Sequence, residues 1–189
     1  MADQDGITSD IRSREDEYFR RKDRELVERM RQTSAVQQAR QALEARSGIH
    51  DPAVLQELEE LGFTPDTISL LPLVPIVQVA WAEGGITPEE RRLIEKFARE
   101  RGIEPGGPAD QQLASWLEFQ PSEDVFARAT RLIRAMLAES GARTDLRIEE
   151  LIHHCEEIAA ASGGVLGFRK ISAQERSLLQ QIESALKAR

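Results

Sequence analysis

Glycine and proline divide this chain into segments of helical length, and none of them alternates apolar and polar residues with the period of two that a half-buried strand requires. Aromatic and β-branched residues are also too few for a sheet. The pattern predicts helices near residues 51–61, 64–81, 88–101, 109–118, 121–139, 144–161 and 173–187. We therefore expect an all-α body.

Two of these helices carry a clear start signal. Asp51 followed by Pro52, and Thr64 followed by Pro65, read as an N-cap with proline at the first helical position. Pro72 and Pro75 then fall inside the apolar helix at 64–81, where each removes a backbone donor. This helix should therefore start late or bend.

The first 47 residues differ from the rest of the chain. No proline or glycine occurs from about residue 9 to 45, and charges of both signs alternate with helix-favouring residues, which predicts one long helix with a break conceivable near Thr33 and Ser34. Apolar residues recur along it, mostly seven or eight residues apart, in a thin stripe: Ile11, Tyr18, Phe19, Leu26, Met30, Val36 and Leu43.

This segment, residues 1–47, is called the N-terminal arm, and residues 48–189 are the predicted bundle domain. A thin stripe is typical of a helix that enters a partner's groove or forms a short coiled coil, so we predict partner contacts from Tyr18, Phe19, Leu26 and Met30. The arm could equally pack its stripe on its own domain, or be partly disordered when alone.

Charge is distributed unevenly between the two parts. The arm has 10 basic and 10 acidic residues, so the net charge of −8 comes from residues 48–189, with 15 basic against 23 acidic residues. An acidic body repels nucleic-acid phosphates and anionic lipid surfaces. A protein partner, or self-association through the N-terminal helix, is the better expectation, with no nucleic-acid binding and no membrane insertion.

The cysteine content and the apolar runs favour a cytoplasmic protein. The single cysteine, Cys155, cannot form an internal disulfide. The acidic, polar residues 1–10 lack the pattern of a secretory signal. The most apolar stretch, residues 70–82, is interrupted by polar and proline positions and is well short of the ~20 residues that span a bilayer.

An internal repeat is the most specific pattern in the chain. VAWAEGG at 79–85 matches IAAASGG at 158–164, and ITPEER at 86–91 matches ISAQER at 171–176, with 165–170 as an insertion. In each copy a helix ends at glycines, an isoleucine enters the core, and Thr87 or Ser172 caps the next helix. Glu90 and Glu175 follow these caps by three residues, as in a capping box. The prediction is a helical bundle with two helix-turn-helix pseudo-repeats and a long N-terminal helix.

The repeat resembles the TerB-like family associated with tellurite resistance, over roughly residues 70–186. That resemblance implies a small helical bundle of two such helix pairs, with acidic turn residues linked to metal-ion binding and to stress-response assemblies. It makes Glu83 and Glu90 the candidate ligands of a divalent metal ion. The chain departs from the family in having Glu83 in place of the usual aspartate, and Ser162 at the matching position of the second copy.

Residues 149–157, EELIHHCEE, form a second group of conceivable metal ligands. Glu149, His153 and Glu157 share one helix face, whereas Cys155 lies on the apolar face and should be a core residue. An exposed polar helix face explains the group better than a metal site does. No catalytic or phosphate-binding motif is present, and His50, His153 and His154 are the only histidines.

The leading hypothesis is a non-enzymatic helical adaptor or scaffold without a cofactor, which binds another protein or itself through the arm. The alternative is a divalent-metal-ion-binding, TerB-like stress-response domain. The inserted loop at 165–170, with Phe168, either folds back into the core as a plug or contacts a partner.

Overall fold

The structure is a computed structural model that describes residues 3–140, 147–161 and 171–188, with side chains from Tyr18 onward except those of Phe19 and Ser140. Within these ranges the chain is helical and contains no strand, which confirms the all-α prediction. The helices are α1 (Asp3–Ser47), α2 (Pro52–Glu60), a 3₁₀ helix (Ile68–Leu73), α3 (Val74–Ala80), α4 (Pro88–Glu100), α5 (Pro108–Glu118), α6 (Glu123–Ser140), α7 (Ile148–Ala161) and α8 (Ala173–Lys187).

The chain separates into two compact units, Met1–Gln41 and Ala42–Arg189. The first unit is the larger part of α1. This helix runs without a break past Thr33, whose hydroxyl donates a hydrogen bond of 2.9 Å to the carbonyl of Arg29 one turn earlier. That bond satisfies a polar side chain inside a helix. The conceivable break at Thr33 and Ser34 is therefore not present.

The second unit includes the last turn of α1. Leu43 and Ile49 are fully buried and belong to the hydrophobic core of this unit. The boundary between the units thus falls at Gln41, six residues before the end of the N-terminal arm as the composition defines it. Periodicity and charge do not reveal that boundary, because the helix itself continues through it.

Helix α3 is the centre of the second unit. It contacts α4, α6, α7 and α8, and its apolar side chains are buried on all sides. Pro72 lies in the 3₁₀ helix and Pro75 in the first turn of α3, where a missing backbone N–H costs no hydrogen bond. Of the late start or bend that the two prolines predicted, the structure has the late start. The start signal predicted at Thr64 and Pro65 is wrong, because the 3₁₀ helix begins at Ile68, after Thr67.

Helix α2 is held against α6 by an ion-pair cluster. The Asp51 side chain caps α2 by accepting a bond of 2.8 Å from the Ala53 N–H, as predicted. Arg128 then donates to Glu57 at 2.8 Å and to Glu60 at 3.0 Å, and Arg131 also donates to Glu57. Burial tends to raise the pKa of Glu57, but the bonds from both arginines lower it below its ordinary value.

Candidate functional site

The first repeat turn has the geometry that its sequence predicts. Gly84 has a φ of 82°, a conformation that side chains disfavour, and it ends the segment after α3. Thr87 then caps α4: its hydroxyl accepts from the Glu90 N–H at 3.2 Å, and the Glu90 carboxylate accepts from the Thr87 N–H at 2.7 Å. This reciprocal pair is a complete capping box, so the prediction from the local sequence is confirmed.

The start of α8 repeats this arrangement. Ser172 accepts from the Glu175 N–H at 3.2 Å, and Glu175 accepts from the Ser172 N–H at 2.7 Å, the same distances as in the first copy. Ile86 and Ile171 are half-buried and pack against the core, as expected of residues that anchor a turn. The glycines and Ser162 of the second turn lie outside the described residues.

Glu90 and Glu175 are carboxylates almost completely removed from solvent, each 1% exposed. Burial raises the pKa of Glu90, hydrogen bonds from Thr87 oppose that shift, and the charges of Glu175 and Glu83 add to it. The two capping boxes therefore bring their carboxylates within electrostatic range of each other. Each copy of the internal repeat thus contributes one buried carboxylate to the bundle.

The two predicted metal ligands have different environments. Glu83 is exposed, whereas Glu90 is buried and its Oε2 atom accepts the Thr87 N–H bond. No cluster of three or more histidine, cysteine, aspartate or glutamate side chains suited to a metal ion occurs within 3–140, 147–161 and 171–188. The metal site at Glu83 and Glu90 remains a prediction.

The second group of predicted ligands, on α7, faces in several directions. His153 is exposed and lies 4.0 Å from the carboxylates of both Glu156 and Glu157. His154 instead stacks on Phe97 of α4, with ring centroids 4.0 Å apart. Cys155 is fully buried, as predicted, and burial raises the pKa of its thiol to about 12. At neutral pH this cysteine is an uncharged core residue rather than a nucleophile.

Within the arm, residues 20–39 form an uninterrupted stretch of exposed helix. Every side chain from residue 20 to 39 is exposed, including Leu26 (58%) and Met30 (63%) of the predicted stripe. Tyr18 is also exposed, with the Arg21 guanidinium 5.7 Å and the Lys22 ammonium 5.8 Å from its ring centroid. The Phe19 side chain, also predicted to contact a partner, lies outside the described side chains.

Val27 is an exposed apolar residue that the predicted stripe does not include. It lies beside Leu26 on the helix, so it widens the apolar face to one side. The sequence contained the signal, because Leu26 and Val27 are adjacent apolar residues in a charged segment, as Tyr18 and Phe19 are. The predicted stripe includes both residues of the first pair but only Leu26 of the second.

Over the described ranges, each helix is either too short or too polar to cross a lipid bilayer.

Comparison with known proteins identifies no relative of this chain. The resemblance to the TerB-like family rests on the sequence of the two repeat turns alone, at 79–91 and 158–176. No protein-family model, curated protein or solved structure matches this chain.

Proposed function

We propose that this chain is a cytoplasmic, non-enzymatic helical adaptor that binds another protein, or a second copy of itself, through the apolar face of its N-terminal arm. The observation behind the proposal is that every side chain from residue 20 to 39 is exposed. Four of them are large and apolar, and two of these four, Leu26 and Met30, have the four-residue spacing that a docking helix uses. The bundle, Ala42–Arg189, supplies the stable platform that carries the arm.

An exposed helix of this kind has little intrinsic stability. Most of the stability of a protein helix comes from the packing of its apolar face, and the exposed stretch at 20–39 has no such packing. Its own stabilising contacts are short-range, such as the Lys22–Glu25 ion pair at 3.3 Å. Exposed pairs of this type contribute ~0–1 kcal/mol each. A partner that covers Leu26 and Met30 would add about 1.5–3 kcal/mol for each side chain buried.

The charge of the arm favours a protein partner over a nucleic acid. Its basic and acidic residues are equal in number and interleaved, so no continuous basic surface faces a phosphate backbone. The acidic bundle domain adds repulsion toward any polyanion. The remaining specific feature of the arm is its apolar face, and such faces recognise complementary apolar grooves.

A divalent-ion-binding, TerB-like stress-response domain is the second candidate function. The observation in its favour is that the charges of Glu83 and Glu175 both act on Glu90 at the first repeat turn. We rank it second because the Glu90 carboxylate already completes a capping box.

The proposal is tested by a pair of double variants of the full chain. Leu26→Glu with Met30→Glu places two charges on the apolar face, and association should weaken at least about tenfold because both anchors are lost. Ala35→Glu with Ala39→Glu is the matched control. It adds the same two charges at exposed positions nine residues, or two and a half turns, further along, on the opposite side of the helix.

Two measurements distinguish the two kinds of partner. Light scattering after size exclusion reports self-association, and capture of cellular proteins on the immobilised chain reports association with another protein. The proposal predicts that the apolar-face variant loses whichever association the parent shows, while the control keeps it. Equal behaviour of parent and both variants would place the binding surface elsewhere.

A further inference from the structure

A cavity of about 840 Å³ lies within the second unit, bounded by the end of α1, the 3₁₀ helix, and parts of α4, α6 and α7. This volume falls in the range of about 300–1,000 Å³ that is usual for small-molecule sites. Its apolar lining includes Phe97 and Met136, and its polar lining includes Arg101 and His154. The proposed function of the arm makes no use of this cavity.

Arg101 has two buried donors that no described group satisfies. Its Nε and Nη2 atoms are almost inaccessible to solvent and have no hydrogen-bond partner among the described residues. These two atoms form one edge of the guanidinium plane, and that edge matches the two oxygens of a carboxylate or phosphate. Burial lowers the pKa of Arg101, although the charges of Glu150 and Glu100 raise it. A buried charged donor without a partner is costly, so this edge favours any group that can accept from it.

His154 provides a third unsatisfied atom on the same cavity. Its Nδ1 is also buried and unpaired among the described side chains, and its ring is fixed by stacking on Phe97. Burial, and then the charge of Arg101, lower the pKa of His154, so the imidazole is neutral near neutral pH. A neutral imidazole with its proton on Nδ1 can donate to an oxygen already held by Arg101.

Four glutamates also line the cavity, and three of them have other partners. Glu44 bonds to the His50 ring at 2.8 Å, Glu139 accepts from the His50 N–H at 2.5 Å, and Glu100 lies 3.5 Å from the Lys96 ammonium. Glu150 is exposed, and its charge acts on Arg101 without an ion pair between them among the described side chains. These carboxylates favour a ligand that has hydrogen-bond donors as well as its anionic group.

We propose that this cavity binds a small polar molecule with a carboxylate or phosphate group, which takes the Nε and Nη2 edge of Arg101 with His154 Nδ1 as a further donor. The anionic group is the shared chemistry. The donors of the ligand face the acidic side of the cavity, where Glu150 is available. A purely apolar ligand would leave all three buried nitrogen atoms unsatisfied.

The test is a titration of the full chain with three probes: inorganic phosphate, acetate, and glycine as a carboxylate with an added donor. Binding is followed by the NMR signal of the Arg101 Nε–H group at constant ionic strength, with sodium chloride as the reference. We expect this signal to move in a saturable way with phosphate or with the carboxylates, and the responding probe identifies the anionic group. Glycine should bind more tightly than acetate if the donors contribute.

Two variants assign the effect to Arg101. Arg101→Gln removes the guanidinium edge and should weaken probe binding about tenfold or more, as should Arg101→Lys, which keeps the charge but not the paired donors. Arg99→Gln is the control, because Arg99 already donates to the Ile103 carbonyl at 2.7 Å and to Asp110 at 2.5 Å. Its binding should equal that of the parent.

The wild-type titration keeps the proposal falsifiable even if an Arg101 variant fails to fold. An Arg101 signal that no probe moves beyond the chloride reference would overturn the proposal. The same conclusion follows if Glu150→Gln shifts the Arg101 signal while the probes do not, because Glu150 would then be the partner of Arg101.

Discussion

Replacing Leu43 by alanine should lower the free energy of unfolding of the bundle by about 2–5 kcal/mol, the usual loss when a large core side chain is truncated. Leu43 is 1% exposed and belongs to the core of the second unit, although it lies on α1. The same substitution at Leu26, on the same helix, should change this free energy by less than about 0.5 kcal/mol. Leu26 is exposed, and alanine is the better helix former.

Chemical labelling of Cys155 measures the unfolding of the bundle alone. It is the only cysteine, it is fully buried in α7, and its pKa of about 12 leaves little thiolate. A thiol reagent should therefore react with it only when the bundle opens. Labelling along a urea gradient gives the unfolding free energy of each variant, without interference from melting of the exposed helix. Equal losses for the two leucine variants, or none for Leu43→Ala, would contradict the placement of the unit boundary.

Replacing Glu90 by alanine should destabilise the bundle by about 1–3 kcal/mol, because the Thr87 N–H loses its acceptor at the start of α4. Replacing it by glutamine should change the stability by less than about 1 kcal/mol. Glutamine can also complete a capping box, since its side-chain carbonyl can accept from the Thr87 N–H. The two variants therefore separate the hydrogen bond from the charge, and the same labelling experiment compares them.

The charge of Glu90 also predicts how the stability of the bundle depends on pH. Its pKa is raised in the folded chain, so the native state binds more protons than the unfolded state between the ordinary value of 4.5 and the raised value. The wild-type bundle should therefore lose stability through Glu90 as the pH rises across that interval. Over the same interval the stability of the Glu90→Gln variant should rise relative to that of wild type, and this difference should persist at neutral pH. If the difference in stability between wild type and Glu90→Gln does not change with pH, burial does not disfavour the charged form of this carboxylate.

The capping boxes and the helix limits were predictable from sequence because they depend on neighbouring residues. Thr87 and Glu90 are three positions apart, and the two prolines restrict the helix to a late start or a bend. The end of the exposed part of α1 was not predictable in this way. Leu26 and Leu43 lie in similar sequence surroundings, and only tertiary packing buries the second of them.

The cavity around Arg101 could not be predicted because its polar atoms come from separate helices. Arg101 follows directly after α4, where the sequence shows only a charged residue before Gly102, and His154 comes from α7. The sequence placed His154 with its exposed neighbours, whereas the structure stacks it on Phe97. In contrast, the repeat did indicate that Glu90 and Glu175 have equivalent roles, although not that their charges act on each other.

A chain that begins at Ala42 shows whether the bundle folds without the arm and whether binding is lost with it. We expect its unfolding free energy, measured through Cys155, to lie within about 1 kcal/mol of the full chain, because residues 20–39 bury no side chain. We also expect it to lose both self-association and protein capture. A truncated chain that exposes Cys155 in the absence of denaturant, or that keeps every partner of the full chain, would contradict the account.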